Sequence, residues 1–259
     1  MKKRTTIKDW LPLGKTDGAT AGVLPTGEAF RPEWIDFEHG LRVGNLEPYE
    51  RITQILKYHL EQTYGTTFVT DRWGRGVYWQ WICWLPRVNR EAKPISHHVN
   101  FGCAKLFITT DSKARTFKSG LQIERGFLRD DANPAAGWVL QEDWDWHRLM
   151  AQCKAGTPFD RELKRLLTEE GFVAEIGNWG VNAVFNATNY SSAAQLKSSM
   201  KAGVPNEWAG FQLYYPLPEK ELRSSTGYEV VKATCAAFDA VVPAMNACMQ
   251  IELKEQPGR

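Results

Sequence analysis

The sequence predicts an α+β fold in which an antiparallel β-sheet of about five to seven strands carries helices packed mainly on one face. β-rich runs follow one another from residue 66 to residue 128 with short links between them, a pattern typical of an antiparallel meander. Amphipathic helical patterns stand before and after this region. With 259 residues, of which 43% are hydrophobic, the chain is long enough to bury a sizeable core.

The first 45 residues predict an irregular N-terminal arm (1–45), and the remainder predicts a single α+β domain (46–259). The arm contains three prolines and six glycines and has no hydrophobic periodicity. Residues such as Trp10, Phe30 and Trp34 argue against complete disorder, because disordered segments are poor in aromatic residues. We therefore expect the arm to lie across the main body or to pair with another subunit in a homo-oligomer.

The clearest helix signal follows the arm. Ile52, Leu56 and Leu60 belong to an apolar stripe with helical spacing within residues 48–64. Pro48 suits the first helical position, where its missing N–H is not needed. These residues therefore predict a helix that faces the core.

The remaining elements follow from alternation, turn residues and caps. The final helix opens at Thr226 and Glu229, which have capping-box spacing, and Pro243 should kink or break it. Between the first and the final helix, the patterns predict strands at 66–71, 77–85, 97–110, 117–128, 172–176, 181–187 and 211–215, and helices at 141–154, 157–171 and 192–202.

Cysteine usage and the start of the chain bear on the compartment and on cofactors. The five cysteines are odd in number and no two have Cys-x-x-Cys spacing, so neither a disulfide framework nor a zinc knuckle is expected. The charged start is not followed by an apolar run, and no stretch approaches the roughly 20 apolar residues of a membrane helix. We therefore expect a cytoplasmic protein with no membrane partner, no bound metal and no cofactor.

The segment from Arg72 to Arg129 is rich in basic and aromatic residues. It contains eleven Lys and Arg residues against three Asp and Glu residues, a net charge of +8 in a chain whose total is +2. A local positive field attracts anions even when the whole molecule is nearly neutral. Alternation places Trp79 and Trp81 on one face of the predicted strand 77–85, where they are either buried in the core or exposed as an aromatic platform.

This segment predicts a non-catalytic protein that binds nucleic acid or another polyanion. Arginines in turns and at strand ends suit forked contacts to phosphates, and tryptophan rings stack on bases. We expect the following residues to gather on one open surface: Arg72, Trp73, Arg75, Trp79, Arg87, Arg115, Lys118 and Arg125. The alternative is a solvated basic face that docks against the protein's own segment 130–175, which has ten acidic and five basic residues.

Two other functions remain open on the sequence. A metal-dependent hydrolase of the nuclease type would use acidic residues near Asp111, Glu124 or Asp143, although Arg125 does not supply the lysine usual after such a glutamate. A scaffold subunit would use the arm and surface tryptophans for oligomer contacts. The chain contains neither a G-x-S-x-G elbow nor a Walker A loop, so no catalytic signature is identified.

Two parts of the chain resemble a bacterial family known only as a conserved domain of unknown function. One part is Phe101-Gly102 followed by Gly120-Leu121-Gln122-Ile123-Glu124. The other is Tyr215-Pro216-Leu217 with Glu221-Leu222-Arg223-Ser224, followed by Phe238 and Val242-Pro243. The resemblance lies in the C-terminal part of the chain. The asparagine-rich opening of that family is missing from this sequence. It implies an α+β fold and carries no assigned activity.

Overall fold

The fold is built on one antiparallel sheet with helices packed against one of its faces, which confirms the predicted α+β class. The computed structural model describes residues 25–93, 102–125, 127–129, 138–140, 144–177, 181–201 and 209–256. The strands are β1 (Ile35–Asp36), β2 (Gly40–Arg42), β3 (Phe68–Arg75), β4 (Tyr78–Pro86), β5 (Lys105–Asp111), β6 (Thr116–Glu124), β7 (Phe127–Arg129), β8 (Trp138–Leu140), β9 (Val173–Gly177), β10 (Val181–Phe185) and β11 (Gly210–Pro218). The helices are α1 (Ile52–Tyr64), α2 (Arg87–Glu91), α3 (Asp145–Gln152), α4 (Pro158–Thr168), α5 (Ala193–Lys201), α6 (Glu219–Ser224) and α7 (Gly227–Asn246).

The main sheet has nine strands in the described part of the chain, in the order β1-β2-β4-β5-β6-β11-β9-β10 with β3 on the far side of β4. β2 and β5 pair with different parts of β4, whereas β3 pairs along its whole length from the other side. β3 is therefore an edge strand. All seven predicted strands are present, and the number exceeds the predicted five to seven because β1 and β2 join them.

Residues 25–45 pack against the main body, which is one of the two placements expected for the arm, and two short strands make this segment more regular than predicted. β1 and β2 form a hairpin, and β2 joins the main sheet by pairing with β4. Phe30, Ile35 and Phe37 are buried in the main core. These large side chains anchor the segment although its many turns hide any periodicity. Residues 1–24 lie outside the described residues, and an oligomer contact through them stays a prediction.

One face of the sheet forms the main hydrophobic core with α1, α4 and α7. The stripe predicted for α1 is buried, and α7 begins at the predicted capping box, where both hydrogen bonds between Thr226 and Glu229 are present. The helix continues through Pro243 to Asn246, so the proline does not break it. Among the described residues, no helix combines the length and the apolar character needed to cross a membrane.

The opposite face of the sheet carries a smaller apolar cluster. Its fully buried members include Cys83, Cys103 and Phe107. Burial raises the pKa of the Cys83 thiol well above its usual value and raises the pKa of Cys103 to about 11. Both thiols therefore stay protonated near neutral pH and behave as small apolar side chains.

Beside this cluster, a buried polar network joins three strands. Lys105 is fully buried and donates a hydrogen bond to the Glu124 carboxylate. Gln122 Nε2 donates to Glu124 Oε1 over 2.7 Å, and Trp81 Nε1 donates to Gln122 Oε1 over 2.7 Å. Burial by itself lowers the pKa of Lys105, but the Glu124 carboxylate outweighs it and leaves the pKa raised. The lysine therefore remains charged inside the protein.

A second buried ion pair ties the C-terminal segment to the sheet. Lys93 Nζ lies 3.0 Å from Asp145 Oδ1, and both side chains are fully buried. Asp145 Oδ2 also accepts hydrogen bonds from Asn89 Nδ2 over 2.8 Å and from the backbone N–H of Ala104 over 2.6 Å. The backbone N–H of Ile251 donates to Asn89 Oδ1 over 3.2 Å. This network compensates the cost of burying the two charges.

The docking of residues 25–45 is tested at Gly227, the first residue of α7. A Cβ atom at this position would lie 1.6 Å from the carbonyl oxygen of Phe30. We expect Gly227→Ala to lower the free energy of unfolding by about 1–3 kcal/mol through overpacking, although alanine favours a helix by about 1 kcal/mol. Urea unfolding measures the change.

Ala233→Gly, at an exposed position of the same helix, calibrates the propensity effect, which should cost about 1 kcal/mol. If Gly227→Ala instead stabilises the protein, the N-terminal segment does not pack against α7 as described.

Candidate functional site

The candidate site lies at the hairpin tip, which we define as residues 72–80 of the β3–β4 hairpin. Arg75 and Tyr78 form the last cross-strand pair, and Gly76-Val77 is the two-residue turn between them. Gly76 has a φ of +61°, a left-handed conformation that glycine adopts without steric cost. The tight turn holds the end of the edge strand next to the sheet.

A β-bulge at Gln80 reverses the alternation of β4. Trp73 pairs with Trp81 and Gly74 pairs with Trp79, so Gln80 is the extra residue. Trp79 accordingly packs against the main core, whereas Trp81 packs against the smaller cluster on the opposite face. The prediction that the two rings share a face is wrong, because strict alternation does not account for an inserted residue.

The edge strand exposes one indole ring and two guanidinium groups. The Trp73 side chain is 66% exposed, the highest value among the large hydrophobic residues of the described chain. Arg72 Cζ lies 3.5 Å from the centre of the Trp79 ring, and Arg75 is exposed. Within the described residues, neither arginine has a carboxylate partner. The backbone N–H of Arg72 donates to Asp71 Oδ1 over 2.8 Å, which disfavours pairing with another strand.

A cavity of about 460 Å³ opens beside these side chains, and we call it the tip cavity. It is lined by Glu38, His39, Trp73, Gly74, Arg75, Tyr78 and Gln80. Its volume falls within the range of about 300–1,000 Å³ typical of small-molecule pockets. The hairpin tip forms one wall and the turn between β1 and β2 forms the other.

The turn between β1 and β2 presents Glu38 and His39 to the tip cavity. Asp36 Oδ1 accepts hydrogen bonds from the backbone N–H groups of Glu38 at 2.8 Å and His39 at 3.0 Å. Burial by itself raises the pKa of Asp36, but its hydrogen bonds with His39 and Glu38 lower the pKa overall. The His39 and Tyr78 ring centres are 5.6 Å apart. The ionised carboxylate of Asp36 therefore holds the turn that forms this wall of the cavity.

Arg115 fixes the Glu38 carboxylate from outside the cavity. Its Nη1 donates to Glu38 Oε1 over 2.5 Å, while Nε and Nη2 donate to the two carboxylate oxygens of Glu219 over 2.6 and 2.9 Å. The hydrogen bonds with Glu219, helped by the nearby Glu38, raise the pKa of Arg115. Arg115 therefore positions a wall of the cavity and is not an open cation.

Lys118 is buried and neutralised. Its Nζ lies 3.0 Å from Glu175 Oε2 and 3.0 Å from Asp111 Oδ2. Tyr214 donates to Glu175 Oε1 over 2.5 Å, and burial together with this carboxylate raises the pKa of the phenol above its usual value. Burial alone raises the pKa of Asp111, but hydrogen bonds from Ala114 and Lys118 lower it overall. This lysine is already engaged within the protein.

The remaining two candidates lie apart from the hairpin tip. Arg125 is only 7% exposed and its Cζ lies 5.8 Å from the centre of the Trp146 ring; burial lowers its pKa. Arg87 is exposed, but it begins α2 beyond the opposite end of β4 and lies 3.6 Å from Glu91. The expectation of one open surface formed by all eight residues is therefore wrong. Four of them gather: Arg72, Trp73, Arg75 and Trp79.

The acidic residues considered for a hydrolase are partners of lysines where the structure describes them. Asp111 binds Lys118, and Glu124 binds Lys105. Asp143 lies outside the described residues. No group of three or more His, Cys, Asp or Glu residues suited to a metal ion occurs among those described. The hydrolase stays a prediction without support from this geometry.

Five lining residues of the tip cavity were not identified as site residues from the sequence: Glu38, His39, Gly74, Tyr78 and Gln80. The available signal was Asp36, whose side chain caps the turn that follows it, as aspartate commonly does. Nothing in the sequence indicates that this turn, about forty residues earlier, lies next to the hairpin tip.

Comparison with protein-family models, with curated proteins and with solved structures finds no significant match to this chain. The resemblance to the bacterial family therefore stays a prediction.

A pair of alanine substitutions separates a structural cation from an exposed one. Lys118→Ala should lower the free energy of unfolding by about 3–5 kcal/mol, because it leaves the carboxylate of Glu175 without its partner in a largely buried position. Arg75→Ala should change the free energy of unfolding by no more than about 0.5 kcal/mol, because Arg75 is exposed. Urea unfolding of both variants measures the contrast, and equal effects would contradict the burial of the Lys118 pair.

Proposed function

We propose that this protein binds single-stranded nucleic acid, without catalysis, through the hairpin tip. The observation that carries the proposal is Trp73, 66% exposed, beside Arg75 at the tip cavity. An exposed indole next to an arginine that has no carboxylate partner among the described residues offers both a stacking surface and a phosphate contact. The interface is smaller than the whole basic segment 72–129.

A single strand suits this geometry better than a duplex. In a duplex each base is stacked between its neighbours, whereas unpaired bases are available to stack on aromatic side chains. Trp73 stands on an edge strand and is followed by Gly74, which has no side chain to shield the ring. A base that approaches from solvent therefore meets the indole directly.

The phosphate contacts come from Arg72 and Arg75 in this proposal. The guanidinium of Arg72 stacks on Trp79, which orders the group while its N–H edge remains available for hydrogen bonds. The alternative, a basic face neutralised by the protein's own acidic residues, explains the position of Lys118, which contacts Glu175. It does not account for the two arginines of the hairpin tip.

Replacement of the stacking ring provides the most direct test. Trp73→Ala should weaken binding of a labelled oligothymidine by about 5- to 150-fold, since stacking on one aromatic ring is worth about 1–3 kcal/mol per base. Trp73→Phe keeps an aromatic face and should lose less affinity. Fluorescence anisotropy at one fixed salt concentration measures each dissociation constant.

Arg87→Ala is the matched control, because it removes an exposed arginine at the far end of β4. It should leave the affinity unchanged. Equal affinities of the wild-type protein and Trp73→Ala would exclude the hairpin tip as the interface. Equal binding of heparin and oligothymidine would favour a general polyanion site over a nucleic-acid site.

The salt dependence should match two phosphate contacts. For single strands, each phosphate contributes about −0.7 to the slope of log K against log salt, so Arg72 and Arg75 predict a slope of about −1.4. Arg75→Ala should reduce the slope to about −0.7. Titrations across a range of sodium chloride concentrations measure both slopes, and a slope unchanged by the substitution would remove Arg75 from the phosphate contacts.

A further inference from the structure

Given the nucleic-acid binding proposed above, we infer that the tip cavity selects guanine among the bases and that Glu38 is the residue that reads it. The inference rests on that proposed function and adds the class of base that enters the cavity. It starts from a feature that a site for a bare polyanion would not contain, namely a carboxylate in its wall.

The cavity combines aromatic and polar lining in a way that suits a planar, polar ring. Trp73, Tyr78 and His39 supply aromatic surface, and the last two lie with ring centres 5.6 Å apart and planes inclined by 41°. Glu38 and Gln80 supply hydrogen-bonding groups. A nucleobase has flat faces for the rings and a polar edge for the remaining groups.

The Glu38 carboxylate is held in place before any ligand arrives. The backbone N–H of Glu38 donates a hydrogen bond to Asp36 Oδ1 over 2.8 Å, and Glu38 Oε1 accepts one from Arg115 over 2.5 Å. Arg115 is itself held by both carboxylate oxygens of Glu219. Because this chain of contacts orders an otherwise 66% exposed side chain, binding loses less conformational entropy.

An ionised carboxylate accepts hydrogen bonds and donates none, which ranks the bases. Guanine presents two adjacent donors, N1–H and the 2-amino group, that match the two oxygens of a carboxylate. Each carboxylate oxygen accepts two hydrogen bonds, and Glu38 Oε1 uses only one of them for Arg115. Adenine and cytosine present one amino group beside an acceptor nitrogen, and that acceptor is repelled. Thymine and uracil present one N–H between two carbonyl oxygens. Glu38 therefore favours guanine over the other bases.

The Glu38 carboxylate also determines where the phosphate backbone and the base of the ligand lie. A phosphate inside the cavity would lie close to the negative charge of Glu38, whereas Arg72 is exposed on the edge strand outside the cavity lining and Arg75 is exposed where that strand meets the cavity. The backbone of the ligand is accordingly placed along the edge strand and the base is placed in the cavity. Trp73 lies between Arg72 and Arg75 in the sequence, and it also lines the cavity.

The test uses labelled oligothymidines of about 15 nucleotides, within the range of single-strand site sizes, that carry one central substitution. We expect the oligonucleotide with guanine to bind about tenfold more tightly than those with adenine or cytosine, as a bidentate base contact does. Hypoxanthine, which lacks the 2-amino group, should bind between guanine and thymine. Fluorescence anisotropy at one salt concentration gives the four ratios.

Glu38→Gln is the decisive variant, because the amide has nearly the same shape but only one acceptor oxygen. It should reduce the preference for guanine over hypoxanthine to less than about twofold. Glu91→Gln, which neutralises an exposed glutamate on α2, should keep the preference. Glu38→Asp keeps the charge on a shorter side chain and should keep part of the preference for guanine.

The outcomes separate this inference from the proposed function. If all oligonucleotides bind equally, or Glu38→Gln keeps the full preference for guanine, base selection by Glu38 is wrong while the hairpin tip remains the interface. If none of the oligonucleotides binds measurably, the proposed function fails and the inference fails with it.

Discussion

The pairing of buried lysines with carboxylates is the interaction on which the distribution of charge in the described part of this protein depends. Lys93, Lys105 and Lys118 are all buried, and each contacts a carboxylate: Asp145, Glu124, and Glu175 with Asp111, respectively. An isolated charge in the interior would cost several kcal/mol, so these pairs are conditions of folding. Part of the positive charge of the segment 72–129 is therefore neutralised inside the protein.

Two of the exposed cations, Arg72 and Arg75, lie on the edge strand β3. In the described part of the chain β3 has a neighbouring strand on one side only. There the bulge at Gln80 sends Trp79 to the main core, and Arg72 stacks on the exposed part of that ring. Trp73 and Arg75 remain in solvent beside the turn that Asp36 organises. The proposed binding surface lies at the edge of the sheet and not on its face.

The N-terminal segment is essential to this surface because it supplies the second wall of the tip cavity. β1 and β2 attach to β4, which brings Glu38 and His39 next to Tyr78. Arg115, which the sequence suggested as a ligand contact, instead connects Glu38 with Glu219 on α6. The cavity thus depends on three distant parts of the chain. The ion pairs from Glu38 through Arg115 to Glu219 form only in the folded protein.

The sequence by itself determined the α+β class, the seven longer strands and the capped helices, because alternation, helical spacing and capping residues are local properties. It also pointed to Trp73 and Arg75, since their types and positions in a turn are visible in one stretch. Tertiary structure alone decided which cations are neutralised, since the partners of Lys118 and Arg115 lie 57 and 104 residues further along. Tertiary structure also decided that Trp79 and Trp81 lie on opposite faces of the sheet and that Glu38 lines the tip cavity. An inserted residue and long-range strand pairing leave no periodic trace in the sequence, so these features had to come from the assembled sheet.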